Sequence, residues 1–170
     1  MDIKSSDHQK MLSDDGYIID QAYTKSYQYG KLSSDINGCG WIAMYNLFHV
    51  QNSLKSYEDV YYEMNAILTY NGMFGTPMKV MKNYLMINKI AFTVISGKRD
   101  SLIKAKTSNV GIIRYFEGYE LHFVTYTKLP NGNYRFFNAI PGKEEHQVSM
   151  ESFFNDHCKL PFVKVIIIND

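Results

Sequence analysis

Apolar residues recur at changing spacings along this chain, and each spacing predicts a different kind of element. From Trp41 to Val50 nearly every residue is apolar, and the length and Ala-Met-Leu content of the run predict a buried helix rather than a strand. A second helix starts at Ser56, where Asp59 completes a capping-box pair and Val60, Met64, Ile67 and Leu68 then fall on one face. "NGMFG" at Asn71–Gly75 breaks the chain. Thr76 as N-cap and Pro77 at the first helical position restart it, and this third helix runs to about Asn88. Beyond it the period shortens. "IAFTVIS", "VGIIRYF", "LHFVTYTKL", "YRFFNAI" and "FVKVIII" are rich in β-branched and aromatic residues and predict strands, interrupted by a short helix near Met150–Asp156.

Helices first and strands second is an α+β order, a helical half against one antiparallel sheet. Residues 1–36 are polar, rich in Ser, Asp, Tyr and Gln, and lack sustained periodicity; only "GYIID" hints at a strand. They read as a loop-rich N-terminal arm, which leaves 37–170 as a single domain without repeats, linkers or low-complexity tracts.

Composition narrows the function classes. A chain of 170 residues with 45% hydrophobic, 15% aromatic and 21% charged residues can bury a core, which argues against long-range disorder. Formal net charge is +1 and the longest basic run is Lys98-Arg99, so the phosphate-neutralising patch that nucleic acid requires is not visible. The cluster "VIII" at Val165–Ile168 is far short of the roughly 20 residues of a membrane span. Residues 1–30 are too polar for a signal peptide. These features predict a soluble, cytoplasmic protein with no membrane insertion.

The two cysteines, Cys39 and Cys158, fit neither a disulfide framework nor a C-x-x-C metal pattern, and no metal or organic cofactor is indicated. Cys158 follows His157, but neighbours on a helix point in different directions, so Cys158 reads as structural. Cys39 sits in "NGCGW". If the helix begins at or just after it, the thiol lies beside unsatisfied backbone N–H groups and the positive end of the helix dipole, which favours a thiolate. The flanking glycines would leave a carbonyl carbon room to approach the sulfur, with backbone N–H groups facing the oxyanion. The plain alternative is a small buried residue.

A thiol nucleophile needs a base, and the base an orienting group. His8 lies in the polar arm, His49 is about 15 Å along the helix from Cys39, His146 is in the charged "KEEHQ" and His157 ends a short helix; all four read as surface or packing residues. His122 opens a strand, and the next strand carries Asn138. Between them "LPNG" reads as a three-residue loop, with Pro130 and Asn131 in a type I turn and Gly132 left-handed, because proline cannot supply the N–H that a two-residue turn would demand. Leu129 then pairs with Asn133, Asn138 faces Val124, and His122 lies diagonal to Asn138 on the same face, about 7–8 Å away. An Asn138 amide oxygen on one imidazole nitrogen would leave the other free for the thiol proton.

The order Cys39, His122, Asn138, with Cys-Gly-Trp at the head of an apolar helix, resembles the papain-like cysteine peptidase superfamily. "NGCGWIAMYNLF" followed by "GYELHFVTYTKLPNGNYRFFNAIPG" looks like its compact bacterial branch, related to bacteriocin-processing peptidases that trim leader peptides. The resemblance implies Cys39 as nucleophile, His122 as base, Asn138 as orienting residue, a backbone oxyanion donor at Cys39, and a glutamine side chain shortly upstream. At the usual position of that glutamine this chain has Ser33, so Gln28 or Asn37 is the expected substitute. The leader-processing branch usually has Asp where this chain has Asn138, and Pro where it has Trp41. The expected function is hydrolysis of a peptide or amide bond, with a peptide or protein as partner. Acyl transfer of the transglutaminase-like kind and a non-catalytic peptide-binding module are the alternatives, and an arm as long as 1–36 could cover the cleft.

Overall fold

The computed structural model describes residues 10–118, 120–140 and 146–169. Its helices are α1 (Ser34–Asn37), α2 (Cys39–Val50), α3 (Tyr57–Ala66), α4 (Met78–Ile87), α5 (Lys98–Ala105) and α6 (Met150–Asp156). The strands are β1 (Gln28–Tyr29), β2 (Leu32–Ser33), β3 (Phe92–Ser96), β4 (Val110–Glu117), β5 (Glu120–Lys128), β6 (Tyr134–Phe137), β7 (His146–Val148) and β8 (Lys164–Ile168). The architecture is α+β. An antiparallel sheet runs β3-β8-β4-β5-β6-β7, and β1-β2 is a separate hairpin. Among the described residues no helix is long and apolar enough to cross a membrane.

The central helix α2 is buried from Cys39 to Phe48, as a helix apolar on every side must be. Along the sheet, Ile112, Phe123 and Ile166 face a core shared with α2, α3 and α4. Their neighbours Ile113, Val124 and Val165 face a second core with Met150, Phe153 and Phe154 of α6. The sheet is therefore covered on both faces rather than packed against one helical half. That is why β4, β5 and β8 bury consecutive residues at their centres, on both faces.

Local chemistry accounts for several boundaries. Ser56 and Asp59 form the full capping box of α3. The β5–β6 hairpin has the expected register, Thr125 to Phe137 and Lys128 to Tyr134. Its loop closes with Leu129 N–H donating to Asn133 O (2.8 Å), and Gly132 takes φ 85°. Helix α4 starts later than expected. Pro77 is its extended N-cap (ψ 147°), while Thr76 is buried and its hydroxyl donates to the Tyr29 hydroxyl (3.2 Å).

The lead-in differs more. Its first nine residues, including His8, lie outside the described ones, but residues 10–36 share the core of the rest. Met11, Ile18 and Tyr29 are buried in the α2 cluster. The Asn46 side chain accepts from Ile18 N–H and donates to Ile18 O (2.8 Å each), imitating a strand neighbour for an otherwise irregular segment. Regular elements lie on both sides of residue 36, since β1 and β2 precede it and α1 (Ser34–Asn37) spans it.

Candidate active site

Cys39 is the first residue of α2, which Gly38 joins directly to α1. The glycines on either side serve close packing rather than access to the sulfur. A Cβ on Gly38 would stand 2.0 Å from Ser34 Oγ, the acceptor of the buried Trp41 indole N–H (2.7 Å). A Cβ on Gly40 would stand 2.2 Å from Thr76 Oγ1. The thiol is only 7% exposed and its partner is the Leu121 carbonyl at 3.8 Å. Burial pushes its pKa up to about 11, against the opposing pull of the Phe123 and Gly40 N–H groups. The sulfur is therefore held as a thiol, contrary to the thiolate that the helix end alone would favour.

His122 lies on β5 opposite Tyr115 of β4, with the two rings edge to face at 5.7 Å. Three residues further on, Thr125 ties the same strand to α2 through its hydroxyl, which donates to Ala43 O (2.6 Å). His122 Nε2 is 2.8 Å from the backbone oxygen of Asn138. A carbonyl only accepts, so Nε2 carries the proton and Nδ1 of the neutral ring presents a lone pair. Burial lowers the imidazole pKa, with the Asn138 carbonyl and the nearby Glu117 carboxylate opposing. Glu117 is in turn held below the usual range, first by His157 (3.6 Å), with Tyr115 donating to its other oxygen (3.2 Å).

Asn138 orients the ring by an unexpected group. The β6 ladder stops at Phe137, and Asn138 takes φ 60°, a left-handed conformation that asparagine tolerates better than most residues. That turn brings its backbone carbonyl, rather than its amide, to the imidazole. The side chain engages Gln21 instead: Oδ1 accepts from Gln21 N–H (2.9 Å), and Nδ2 donates to Gln21 Oε1 (3.2 Å). Gln21 Nε2 then donates to Asp35 O (2.9 Å).

Neither expected oxyanion donor reaches this place. The Gln28 side chain donates to Gly30 O (3.2 Å), within the β1–β2 hairpin. Asn37 is buried and donates to Gly72 O (2.7 Å) and Tyr29 O (3.3 Å), holding two loops together. Cys39, His122 and Asn138 do come together. They line one cleft of ≈ 390 Å³ with Asp20, Gln21, Ala22, Asp35, Ile36, Glu117, Glu120 and Leu121. Gln21 has no sequence signal of its own, since it stands in an aperiodic segment and meets Asn138 only through the fold. Of the other described histidines, His49 bonds Asp15 O and contacts Tyr17, His146 lies near Phe153, and His157 stacks on Phe153 while pairing with Glu117 of the cleft.

The cleft brings a thiol and an imidazole with a free nitrogen to one place. No hydrogen bond joins Cys39 to His122: the thiol donates to Leu121 O and the imidazole Nε2 to Asn138 O. Among the described residues no group of three or more His, Cys, Asp or Glu could hold a metal ion. Cys158 is buried and its thiol pKa is pushed up to about 12 by burial, in keeping with a packing residue. No protein-family model matches the chain, and no curated protein matches it.

Proposed function

We propose that this protein is a papain-like cysteine hydrolase that cleaves a peptide or amide bond of a peptide or protein substrate. The observation that carries the reading is the imidazole, fixed as the Nε2–H tautomer by the Asn138 carbonyl in the cleft that Cys39 also lines. His122 Nδ1 is then the base. It takes the Cys39 proton as sulfur attacks the substrate carbonyl carbon and the carbonyl electron pair moves to oxygen. Collapse of that adduct expels the amine, which leaves with the proton from Nδ1. Water, deprotonated by the same nitrogen, cleaves the thioester and restores the thiol. Because burial raises the thiol pKa and lowers that of the imidazole, proton transfer accompanies attack instead of preceding it.

The test is cleavage of a peptide library by the wild type, Cys39→Ala and His122→Ala. Cleavage by the wild type alone supports the hydrolase. The buried, protonated thiol favours a second reading, a papain-like module that holds a peptide without turnover. Peptide binding that survives in Cys39→Ala with no cleavage by any form selects that module and rejects the hydrolase.

A further inference from the structure

Gln21 is bonded to both halves of the candidate site. Toward the base it closes a ring with Asn138, accepting from the side-chain amide through Oε1 while its backbone N–H donates to Oδ1. Toward the nucleophile its Nε2 donates to the carbonyl of Asp35 in α1, the turn that Gly38 joins to Cys39. An asparagine in left-handed conformation needs such a restraint, since the backbone alone does not favour φ 60°. The segment before Gln21 is pinned along the same strand end. Asp15 forms a two-pronged ion pair with Arg135 (2.9 Å for one prong), and Tyr17 stacks on Phe137 with ring centroids 4.1 Å apart. Asp20 caps the short turn that follows by accepting from Ala22 N–H (2.9 Å).

We propose that Gln21 is a positioning residue: through Asn138 it holds the carbonyl that fixes the His122 tautomer, and through Asp35 it sets the spacing between imidazole and thiol. The lead-in is then a strap that completes the site rather than a cover over it. Glutamine suits the role because it has a donor and an acceptor on one planar group of sufficient reach. Glutamate keeps the acceptor for Asn138 but loses the donor for Asp35 O, and alanine loses both.

This inference rests on the reading of the cleft as a Cys-His site, yet its main readout needs no turnover. In the full-length protein, with folding checked by thermal melting, ¹⁵N NMR reports the His122 tautomer and the exchange of its Nε2 proton with water. Tautomer and exchange are chosen because Glu117, Glu120 and His157 also act on the imidazole pKa. In Gln21→Ala the Nε2 proton exchanges about fivefold to tenfold faster, the change in population commanded by one neutral hydrogen bond. In Gln21→Glu the tautomer is kept, while iodoacetamide alkylation of Cys39 changes from the wild-type rate. The idea is overturned if Gln21→Ala folds and leaves both tautomer and exchange as in the wild type. Should Gln21→Ala not fold, Gln21→Glu with a wild-type alkylation rate overturns it instead. A wild type that cleaves no peptide sinks the hydrolase reading alone, because the His122 signals still decide the role of Gln21.

Discussion

The β5–β6 hairpin and the lead-in segment that lies against it reach the same place by opposite routes. The hairpin carries its geometry in its own residues: a loop with proline where a two-residue turn is impossible, a glycine at φ 85°, and a register that follows. The lead-in has no period to follow, and its course is set by what it touches. Asp15 meets Arg135, Tyr17 meets Phe137 and Gln21 meets Asn138. An irregular segment can thus be as well determined as a regular one, provided that its polar groups are paired one by one.

Truncation on each side probes that equivalence. Phe136→Ala in the hairpin removes a ring that is 2% exposed and stacked on Phe153, and should cost about 3–5 kcal/mol in chemical denaturation. Ile18→Ala in the lead-in should cost about 2–5 kcal/mol by the same measurement, because Ile18 is fully buried. A loss well under 1 kcal/mol there would make the lead-in a dispensable arm and break the comparison.

Gly40→Ala tests the packing role assigned to the glycine beside the thiol. The new methyl must displace Thr76, so about 1–3 kcal/mol of stability should be lost even with no substrate present. Unchanged stability would return that glycine to the role of keeping the sulfur accessible.

At the junction of hairpin and lead-in, Asn138→Gly and Asn138→Ala both remove the pair with Gln21, but only alanine opposes φ 60°. Asn138→Ala should therefore be less stable than Asn138→Gly by about 1 kcal/mol. The glycine variant should also keep more of the His122 Nε2–H protection. Equal behaviour of the two would mean that the amide, not the backbone carbonyl, orients the ring.

The smallest effects are electrostatic. The imidazole is buried with a lowered pKa, so the unfolded chain binds the proton more readily. Its contribution is unaffected above the ordinary value of 6.5, and stability falls as pH drops from there toward the lowered folded value. His122→Gln should flatten that slope in melts between about pH 5 and 7. Asp15 acts lower on the scale. Arg135 holds its carboxyl well below the usual range, so the ion pair persists at pH 5 and weakens only below the ordinary 3.8. Its half-exposed position keeps the effect under about 1 kcal/mol, which Asp15→Asn melts at pH 3 and pH 7 would read.

Much of the framework was legible in the chain. The buried helix, the capping box at Ser56, the hairpin register and the short helix at Met150–Asp156 depend on contacts within a few residues or on a turn that admits one solution. The residues Cys39, His122 and Asn138 were legible as candidates for the same reason, since helix start and strand register place them. What each does was not. The protonation of Cys39 depends on how far Leu121 and its surroundings exclude water, and the helix end that favours a thiolate loses to that burial. The orienting group on Asn138 depends on a left-handed turn beyond the ladder and on Gln21, 117 positions away along the chain. The glycines around Cys39 answer to Trp41, Ser34 and Thr76. Periodicity and turn chemistry are short-range and survive in a string of letters, whereas desolvation and side-chain pairing across distant segments exist only once the chain has folded back on itself.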